Sequence, residues 1–186
     1  MPARPIVFSD SPLLREKSRH VRRVRPAMQQ LIDDMVATMR AANGIGLAAV
    51  QIGVPERVIV VRLPENEENP EGSKLYVVIN PQLARKSREM EEGIEGCLSV
   101  SGLVGEVSRH RAVTVKGLGR QGQAVRIKAE GFLARVFQHE IDHCDGILFL
   151  DRVEDSEKIW PITKGEEAAE AVQEMPGGVS SSGLLV

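Results

Sequence analysis

The segment QHEIDHCDG (residues 138–146) contains two histidines four residues apart, and a glutamate directly follows the first. Residues four apart on an α-helix share one face, with Cβ atoms about 5–6 Å apart, so the imidazoles of His139 and His143 can bind one metal ion. Glu140 lies about 100° further around the helix axis. It can therefore stand beside the ion without binding it and take a proton from a metal-bound water. This spacing is typical of metal-dependent hydrolases.

The helix that carries this motif is predicted over roughly residues 130–144 and has an apolar surface. Phe132 and Val136 extend the histidine face as an apolar stripe, and Phe137 and Ile141 belong to a second stripe. Two histidines and a glutamate are costly to bury unless they have partners. The pattern therefore favours a buried metal site over an ordinary charged helix.

A catalytic metal of this kind has three protein ligands and one open position, and the residues alone leave the third ligand open. One peptidase pattern places a histidine six residues after the second histidine, but Phe149 occupies that position. Glu166 and Glu167 are available in a polar, weakly structured segment. Cys97 is available in EGCLS (95–99), where glycine lets the backbone approach a ligand closely. A free cysteine is, however, more often a small buried hydrophobic residue.

A hydrolase also needs hydrogen-bond donors where negative charge develops on the attacked carbonyl oxygen. The side-chain amide of Gln51, in the glycine-rich segment GIGLAAVQIG (44–53), is one candidate. The backbone N–H of Leu98, next to Cys97, is another. The alternative for residues 44–53 is a helix end that leads into a strand, which residue propensity alone would explain.

Composition limits the function classes. The chain has 186 residues, enough for one domain with a substantial core, and its formal net charge of −2 argues against a dedicated nucleic-acid-binding protein. No apolar run approaches the roughly 20 residues of a membrane helix, and the first residues lack the apolar core of a signal peptide. The two cysteines do not indicate a disulfide framework. We therefore expect a cytoplasmic protein without a membrane partner or a specific nucleic-acid partner.

Periodicity and β-branched runs predict the elements that position these residues. A first helix is predicted over 26–42, strands over 57–63 and 74–80, and a hairpin over 112–131. The glycine-punctuated segment at 91–102 is predicted to be irregular. Strands combined with two segregated helices predict an α+β fold.

Three segments of the chain resemble the signature segments of the peptide deformylases, in the same order and at similar separations: GIGLAAVQIG (44–53), EGCLS (95–99) and QHEIDHCDG (138–146). The resemblance extends from about residue 5 to residue 153. It implies antiparallel β-sheets packed around a central buried helix that carries the HExxH motif, with a second, N-terminal helix. We expect a single catalytic domain over residues 1–175 and a flexible C-terminal tail over 176–186.

Peptide deformylases remove the formyl group from the N-terminal formylmethionine of new bacterial and organellar polypeptides. The resemblance implies that Cys97, His139 and His143 bind one divalent metal ion. That ion would be iron(II) in the cell, with zinc, nickel or cobalt as substitutes. Glu140 would be the general acid/base that passes a proton from the attacking metal-bound water to the departing amine.

The resemblance also assigns the groups that contact the substrate. Gln51 and the backbone N–H of Leu98 would stabilise the oxyanion of the tetrahedral intermediate. The extended peptide would pair with the backbone at Ile45 and Gly46 in the manner of an added strand. The residues expected to bind the substrate are Ile45, Gly46, Gly96, Phe132, Arg135 and Val136.

Other positions support the family pattern or depart from it. Glu95 and Arg109 stand where the family often has a supporting ion pair. The departures from the family pattern are Val50 for proline or threonine, Ser101 and Ser108 for prolines, and Cys144 for leucine. Because proline fixes φ, the loss of the two prolines at positions 101 and 108 predicts a less rigid loop after Cys97.

The expected partners are N-formylmethionyl nascent peptides, and the basic segment at 15–25 allows a transient contact with the ribosome. The absence of a targeting peptide fits a bacterial cytoplasm. Two alternatives remain: another HExxH metallopeptidase, with a glutamate ligand, or a non-catalytic relative that binds peptides. Glu140 and Gln51 argue against the second alternative, because a structural metal site needs neither.

Overall fold

The computed structural model of the chain describes residues 3–64 and 74–162. Helix α1 (Pro26–Ala41) begins at a proline, which suits a first helical turn because its missing N–H would have no partner there. The chain leaves this helix through Asn43, whose φ of 54° asparagine tolerates better than most residues. Helix α2 (Gly131–Cys144) carries the HExxH motif. Both helices lie where the apolar stripes predict them.

Eight strands occur within the described residues: β1 (Gly46–Ala48), β2 (Val58–Val61), β3 (Tyr76–Lys86), β4 (Met90–Cys97), β5 (Val100–His110), β6 (Ala112–Leu118), β7 (Ala124–Glu130) and β8 (Ile159–Pro161). They form a five-stranded sheet of order β1-β2-β3-β6-β7 and a three-stranded sheet of order β4-β5-β8. All neighbouring strands in both sheets are antiparallel. The strands and the hairpin predicted for the first sheet are therefore confirmed.

Strand β2 is buried on both faces. Val58 and Val60 pack in the cluster that contains the apolar face of α1, whereas Ile59 and Val61 pack in the cluster around α2. Successive side chains of a strand point to opposite faces, so a run of β-branched residues can serve two cores. This explains why the strand is continuously apolar rather than alternating.

Helix α2 lies at the centre of the fold. Every residue from Ala134 to Cys144 is buried. The helix contacts strands of the first sheet on one side and β5 of the second sheet on another, where Val100 and Val107 join its apolar cluster. The fold is therefore α+β, with antiparallel sheets around a buried helix that carries the HExxH motif, as predicted.

The prediction of an irregular segment at 91–102 is wrong. Strands β4 and β5 form a hairpin, with Leu98 and Ser99 in its turn. Glycine lowers strand propensity, but in this hairpin it makes room for a neighbour. A Cβ atom on Gly93 would lie 2.8 Å from the guanidinium of Arg135. Contacts with α2, which local sequence does not reveal, therefore decide the structure of this segment.

The loop predicted to follow Cys97 is also a strand. Ser101 and Ser108 lie in β5, where Ser108 pairs with Glu92 of β4. Ladder hydrogen bonds, rather than proline rings, constrain the backbone there, and a proline within a ladder would remove a donor. The prediction of a loop at these positions is therefore wrong.

Some predictions concern residues outside those described. The tail at 176–186 and the domain end at residue 175 lie there. Among residues 3–64 and 74–162, no helix combines the length and hydropathy that are needed to cross a membrane. Both cysteines, Cys97 and Cys144, are buried and free, which agrees with the absence of a predicted disulfide framework.

Candidate metal centre

Three potential metal ligands converge where α2 meets the turn between β4 and β5. His139 and His143 lie one helical turn apart, and their Nε2 atoms are 3.2 Å apart. Cys97 is the last residue of β4, and its Sγ lies 3.2 Å from Nε2 of His143. The three donor atoms all lie within 4.8 Å of one another, and all three residues are buried. Because metal–nitrogen and metal–sulfur bonds are about 2.0–2.3 Å long, one ion can be bound by all three.

Glu95 fixes the orientation of His139. Oε2 of Glu95 lies 2.9 Å from Nδ1 of His139, and the carboxylate is fully buried. Burial by itself raises the pKa of Glu95, but hydrogen bonds from Arg109 and His139 outweigh it and hold that pKa well below its ordinary value. An ionised carboxylate only accepts hydrogen bonds. The proton of His139 therefore sits on Nδ1, and Nε2 presents its lone pair to the metal position.

A network of buried charges continues behind Glu95. Arg109 donates to both oxygens of Glu95, at 2.8 and 2.9 Å, and to Oδ2 of Asp142 at 2.5 Å. Arg152 donates to both oxygens of Asp142, at 3.0 and 2.7 Å. Asp142 lies on α2 between the two histidines, so the network ties the metal-binding helix to the second sheet. It contains the predicted ion pair of Glu95 and Arg109.

Replacing Glu95 by glutamine is expected to destabilise the fold by about 3–5 kcal/mol, because Arg109 would remain buried without this anion. The matched control is Glu89→Gln, which breaks an exposed ion pair with Arg111 and should cost less than about 1 kcal/mol. Urea unfolding of both variants measures the difference. Equal destabilisation by the two changes would show that the buried network adds nothing to stability.

Glu140 is buried beside these donors. Neither of its carboxylate oxygens has a hydrogen-bond partner among the described residues, and its side chain is fully buried. Burial, reinforced by the charge of Glu95, raises the pKa of Glu140 well above its ordinary value. A carboxyl group with a raised pKa can both give and take a proton near physiological pH.

The amide of Gln51 is fully buried and points toward Cys97. Its Oε1 accepts a hydrogen bond from the backbone N–H of Ala48 at 2.8 Å, so Nε2 faces the turn between β4 and β5. Nε2 lies 3.7 Å from Sγ of Cys97 and 3.2 Å from Oγ of Ser99. The backbone N–H of Ser99 also points at Sγ, at 3.4 Å. Local sequence does not reveal these contacts of Ser99 with Gln51 and Cys97, because they depend on the tight turn.

The protonation states of the donors fit a divalent metal ion. Burial, together with the neighbouring His139, lowers the pKa of His143 well below its ordinary value, so the imidazole is neutral. Burial raises the pKa of the Cys97 thiol to about 12, and the nearby Glu140 adds to this effect. An ion must therefore displace the thiol proton, and its apparent affinity rises with pH. A thiolate with two neutral imidazoles is a donor set that zinc and iron(II) accept.

The residue spacing left several candidates for the third ligand, and the structure places one of them next to the two histidines. Cys97 reaches both histidines, and this group is the only one of its kind among residues 3–64 and 74–162. Phe149, in place of a third histidine, stacks its ring on that of His139 with centroids 6.3 Å apart. Glu166 and Glu167 lie outside the described residues.

Comparison with known proteins decides the family. The profile of the family described as polypeptide deformylase matches residues 3–159. The chain belongs to this family. The peptide deformylase of Thermomicrobium roseum is 48% identical over 174 residues, which cover 92% of this chain and 98% of that protein. The peptide deformylase of Desulforudis audaxviator is 50% identical over 147 residues, which cover 79% of this chain and 91% of that protein.

Solved structures of peptide deformylases share the fold. The crystal structure of the protein from Ehrlichia chaffeensis gives a TM-score of 0.78 at 37% identity, over 84% of this chain and 91% of that chain. The class I type b peptide deformylase from Acinetobacter baumannii, bound to Met-Ala-Ser, gives a TM-score of 0.77 at 38% identity, over 82% of this chain and 99% of that chain. The resemblance that the three sequence segments indicated is therefore confirmed.

Peptide deformylases remove N-formyl groups from nascent peptides, and this chain is an enzyme of that family. The family is metal-dependent, which agrees with the convergence of Cys97, His139 and His143. The alternative of an HExxH metallopeptidase from another family is wrong.

Four of the expected substrate-binding residues lie on, or directly next to, two elements beside the centre. Ile45 directly precedes β1 and Gly46 begins it, and within residues 3–64 and 74–162 β1 is an edge strand of the first sheet. Phe132 and Val136 lie on α2, on the face that also carries His139. A further expected residue, Gly96, precedes the cysteine in β4. These residues are thus brought close to the candidate ligands by three different elements.

Arg135 is placed differently. Its guanidinium donates to Glu95 and to the backbone of the β4–β5 hairpin, and the side chain is buried. The resemblance placed Arg135 among the substrate-binding residues, and the sequence did not reveal these contacts of its guanidinium. The role of Asp142 was not predicted either: it lies inside the HExxH segment but faces Arg109 rather than the ligands.

Proposed function

We propose that the chain hydrolyses the formyl amide of N-formylmethionyl peptides at a metal centre formed by Cys97, His139 and His143, with Glu140 as general acid/base. The observation that carries this proposal is the convergence of one thiol and two imidazoles, within 4.8 Å of one another, beside a buried carboxyl group without a partner. A structural metal site is closed by four protein donors and needs no acid/base group. The arrangement therefore supports catalysis.

The ion is proposed to be iron(II) in the cell, with zinc, nickel or cobalt as substitutes, because thiolate and imidazole ligands suit all of them. When bound, such an ion supplies Lewis acidity, which lowers the pKa of a coordinated water to about 7. The Cys97 thiolate makes an iron form sensitive to oxidation. The protein should therefore be purified anaerobically before the activity of the iron form is measured.

Glu140 is proposed to move the proton. Hydrolysis of an amide requires that a proton leave the attacking water and reach the departing amine. Because no described residue holds either oxygen of Glu140, the carboxyl group can accept and release that proton without breaking a bond to the protein. Gly46 packs directly against this carboxyl group and limits where it can move.

Replacing Gly46 by alanine is expected to lower kcat by about 100-fold through misplacement of Glu140. The added Cβ would lie 2.8 Å from Cδ of Glu140 and would overlap its Oε1. Gly119→Ala is the control, because the three atoms nearest to a Cβ there all belong to the end of the exposed Gln123 side chain, which can move away. Steady-state kinetics and metal analysis test both variants. A wild-type kcat for Gly46→Ala would show that the position of Glu140 does not limit turnover.

Gln51 and the backbone N–H of Leu98 are proposed to stabilise the oxyanion that forms on the formyl oxygen. The Gln51 amide is held by Ala48 with Nε2 directed toward Cys97. Leu98 directly follows that cysteine in the hairpin turn. Donors fixed in advance in this way cost no reorganisation during the reaction, and loss of one typically lowers kcat by about 10²–10³-fold.

The peptide is proposed to add as a strand along β1. Among the described residues, β1 pairs with β2 on one side and ends the sheet on the other. Met-Ala-Ser, which the Acinetobacter baumannii protein binds, is the peptide that remains after formyl-Met-Ala-Ser loses its formyl group. The residues proposed to contact the substrate are Ile45, Gly46, Gly96, Phe132, Val136 and the aliphatic part of Arg135.

Formate release from formyl-Met-Ala-Ser tests the proposed function. Anaerobically purified protein with one equivalent of metal is expected to release formate, and acetyl-Met-Ala-Ser should react far more slowly. Bound metal without formate release would contradict the proposal and favour a non-catalytic relative that binds peptides. Metal analysis on the same sample separates this outcome from simple loss of the ion.

The enzyme is also proposed to act in the bacterial cytoplasm with transient contact to the ribosome, where formylated chains emerge. Arg22, Arg23 and Arg25 of the basic segment are exposed, and exposed cations attract the phosphates of RNA. Co-sedimentation with ribosomes, at low and at moderate salt, tests the contact. Binding unaffected by Arg22→Glu together with Arg23→Glu would contradict it. A single catalytic domain over residues 1–175 is proposed to contain all these features.

A further inference from the structure

The guanidinium of Arg135 is buried against the β4–β5 hairpin. Arg135 lies one helical turn before His139 on α2, and it is only 5% exposed. Its Nη2 donates to the backbone carbonyl of Glu91 at 2.7 Å, and its Nη1 donates to that of Val107 at 2.8 Å and approaches that of Gly93 at 3.3 Å. A buried cation requires several such partners.

Arg135 also completes the hydrogen bonding of Glu95. Its Nη1 lies 3.0 Å from Oε1 of Glu95. Arg109 contributes one bond to each oxygen, and Nδ1 of His139 contributes one to Oε2. Each oxygen therefore accepts two hydrogen bonds, which fills the lone-pair sites of the carboxylate. The carboxylate that orients His139 is thus held from both sides.

Gly93 shows that the hairpin is shaped around this guanidinium. A Cβ atom there would lie 2.8 Å from Nη2 and 2.9 Å from Cζ of Arg135. Only glycine lets β4 approach so closely. The guanidinium can therefore be displaced in two independent ways, by changing Arg135 or by adding a methyl group to Gly93.

We propose that Arg135 is a positioning residue of the metal centre, which acts through Glu95 to fix the orientation of His139. This inference rests on the proposed function, because it assumes that His139 binds the ion. The guanidinium of Arg135 is hydrogen-bonded to the hairpin and to Glu95, so it does not select the substrate side chain. Only the aliphatic part of Arg135 remains to border the methionine pocket.

The test replaces Arg135 by methionine, which keeps an aliphatic side chain and removes the guanidinium. Cobalt(II) is added to metal-free protein, and its affinity is measured by competition with a chelator. Loss of a group that supports a metal ligand typically lowers affinity by about 10–100-fold, and we expect a loss in this range. The d–d absorption of the cobalt form should also shift. KM for formyl-Met-Ala-Ser should stay within about twofold of the wild-type value, because uniform substrate binding is unchanged.

Two further variants separate positioning from general loosening of the fold. Arg120→Met removes a guanidinium that pairs with Asp33 and Gln29 near the surface, and it should leave cobalt affinity and spectrum unchanged. Gly93→Ala should reproduce the weaker affinity and the shifted spectrum with Arg135 still present. It therefore provides the answer even if Arg135→Met does not fold.

Unchanged cobalt affinity and spectrum in either folded variant would overturn the proposal. A raised KM with an altered preference between formyl-Met and formyl-Leu peptides would then assign Arg135 to the pocket wall. The cobalt affinity and spectrum test the role of Arg135 even if the wild-type protein releases no formate. Failure of this inference can therefore be distinguished from failure of the proposed function.

Discussion

Replacement of Glu140 by alanine or glutamine is expected to lower kcat by about 10²–10⁴-fold and to leave the metal content at the wild-type level. Both expectations follow from its placement. Glu140 is not one of the three converging donors, so the ion should be retained. Its raised pKa and lack of a protein partner suit proton transfer, and glutamine fills the same space without an exchangeable carboxyl proton.

Asp145→Asn is the control for the Glu140 variants. Asp145 directly follows α2 but pairs with Arg57 away from the donors, so kcat should not change. Formate release measured under saturating peptide gives kcat, and elemental analysis of the same samples gives the metal content. Full activity in Glu140→Gln would refute its role as general acid/base. Joint loss of metal and activity would show that Glu140 acts on the ion's binding rather than on the proton.

Replacement of Cys97 by serine is expected to weaken metal binding by more than the 10–100-fold that is typical of losing a supporting group, since a ligand itself is lost. Activity at limiting metal should fall in parallel. Cys144→Ala is the matched control, because Cys144 is equally buried on α2 but is not part of the donor group. A chelator competition series on the three proteins measures the affinities. Equal affinity in wild type and Cys97→Ser would show that the thiol is only a packing residue.

The pH dependence of binding gives the same test a second readout. The pKa of the Cys97 thiol is raised to about 12, so below that pH an ion must displace its proton. Apparent affinity in the wild type should therefore rise by about tenfold per pH unit from this group alone. The serine variant should lack this contribution, because its hydroxyl stays protonated. Identical slopes would contradict thiolate coordination.

The sequence predicted the elements of the site better than their contacts. Both helices and the strands of the first sheet follow from apolar stripes and β-branched runs, which are local signals. The β4–β5 hairpin was missed because its glycines weaken strand propensity. Gly93 is tolerated because Arg135 fills the space beside it, and Gly105 packs against Val153 and Phe149. Such compensation is a tertiary effect, and no local pattern records it.

The candidate ligands illustrate the same limit. Helical spacing alone placed His139 and His143 together. It did not decide whether the third metal ligand is Cys97, Glu166 or Glu167. The resemblance to known deformylase segments favoured the cysteine, and the hairpin turn brings its sulfur next to the imidazoles. The orientation of Arg135 could not be predicted, because a long polar side chain on a buried helix can face either the pocket or the sheet.

The most direct measurement is an anomalous difference map from crystals of the reduced protein loaded with a single metal and collected at its absorption edge. We predict one strong peak, within bonding distance of Sγ of Cys97 and of Nε2 of both His139 and His143. Glu140 should lie beside that peak without binding the ion. A peak elsewhere, or one that the sulfur does not reach, would contradict the proposed metal centre.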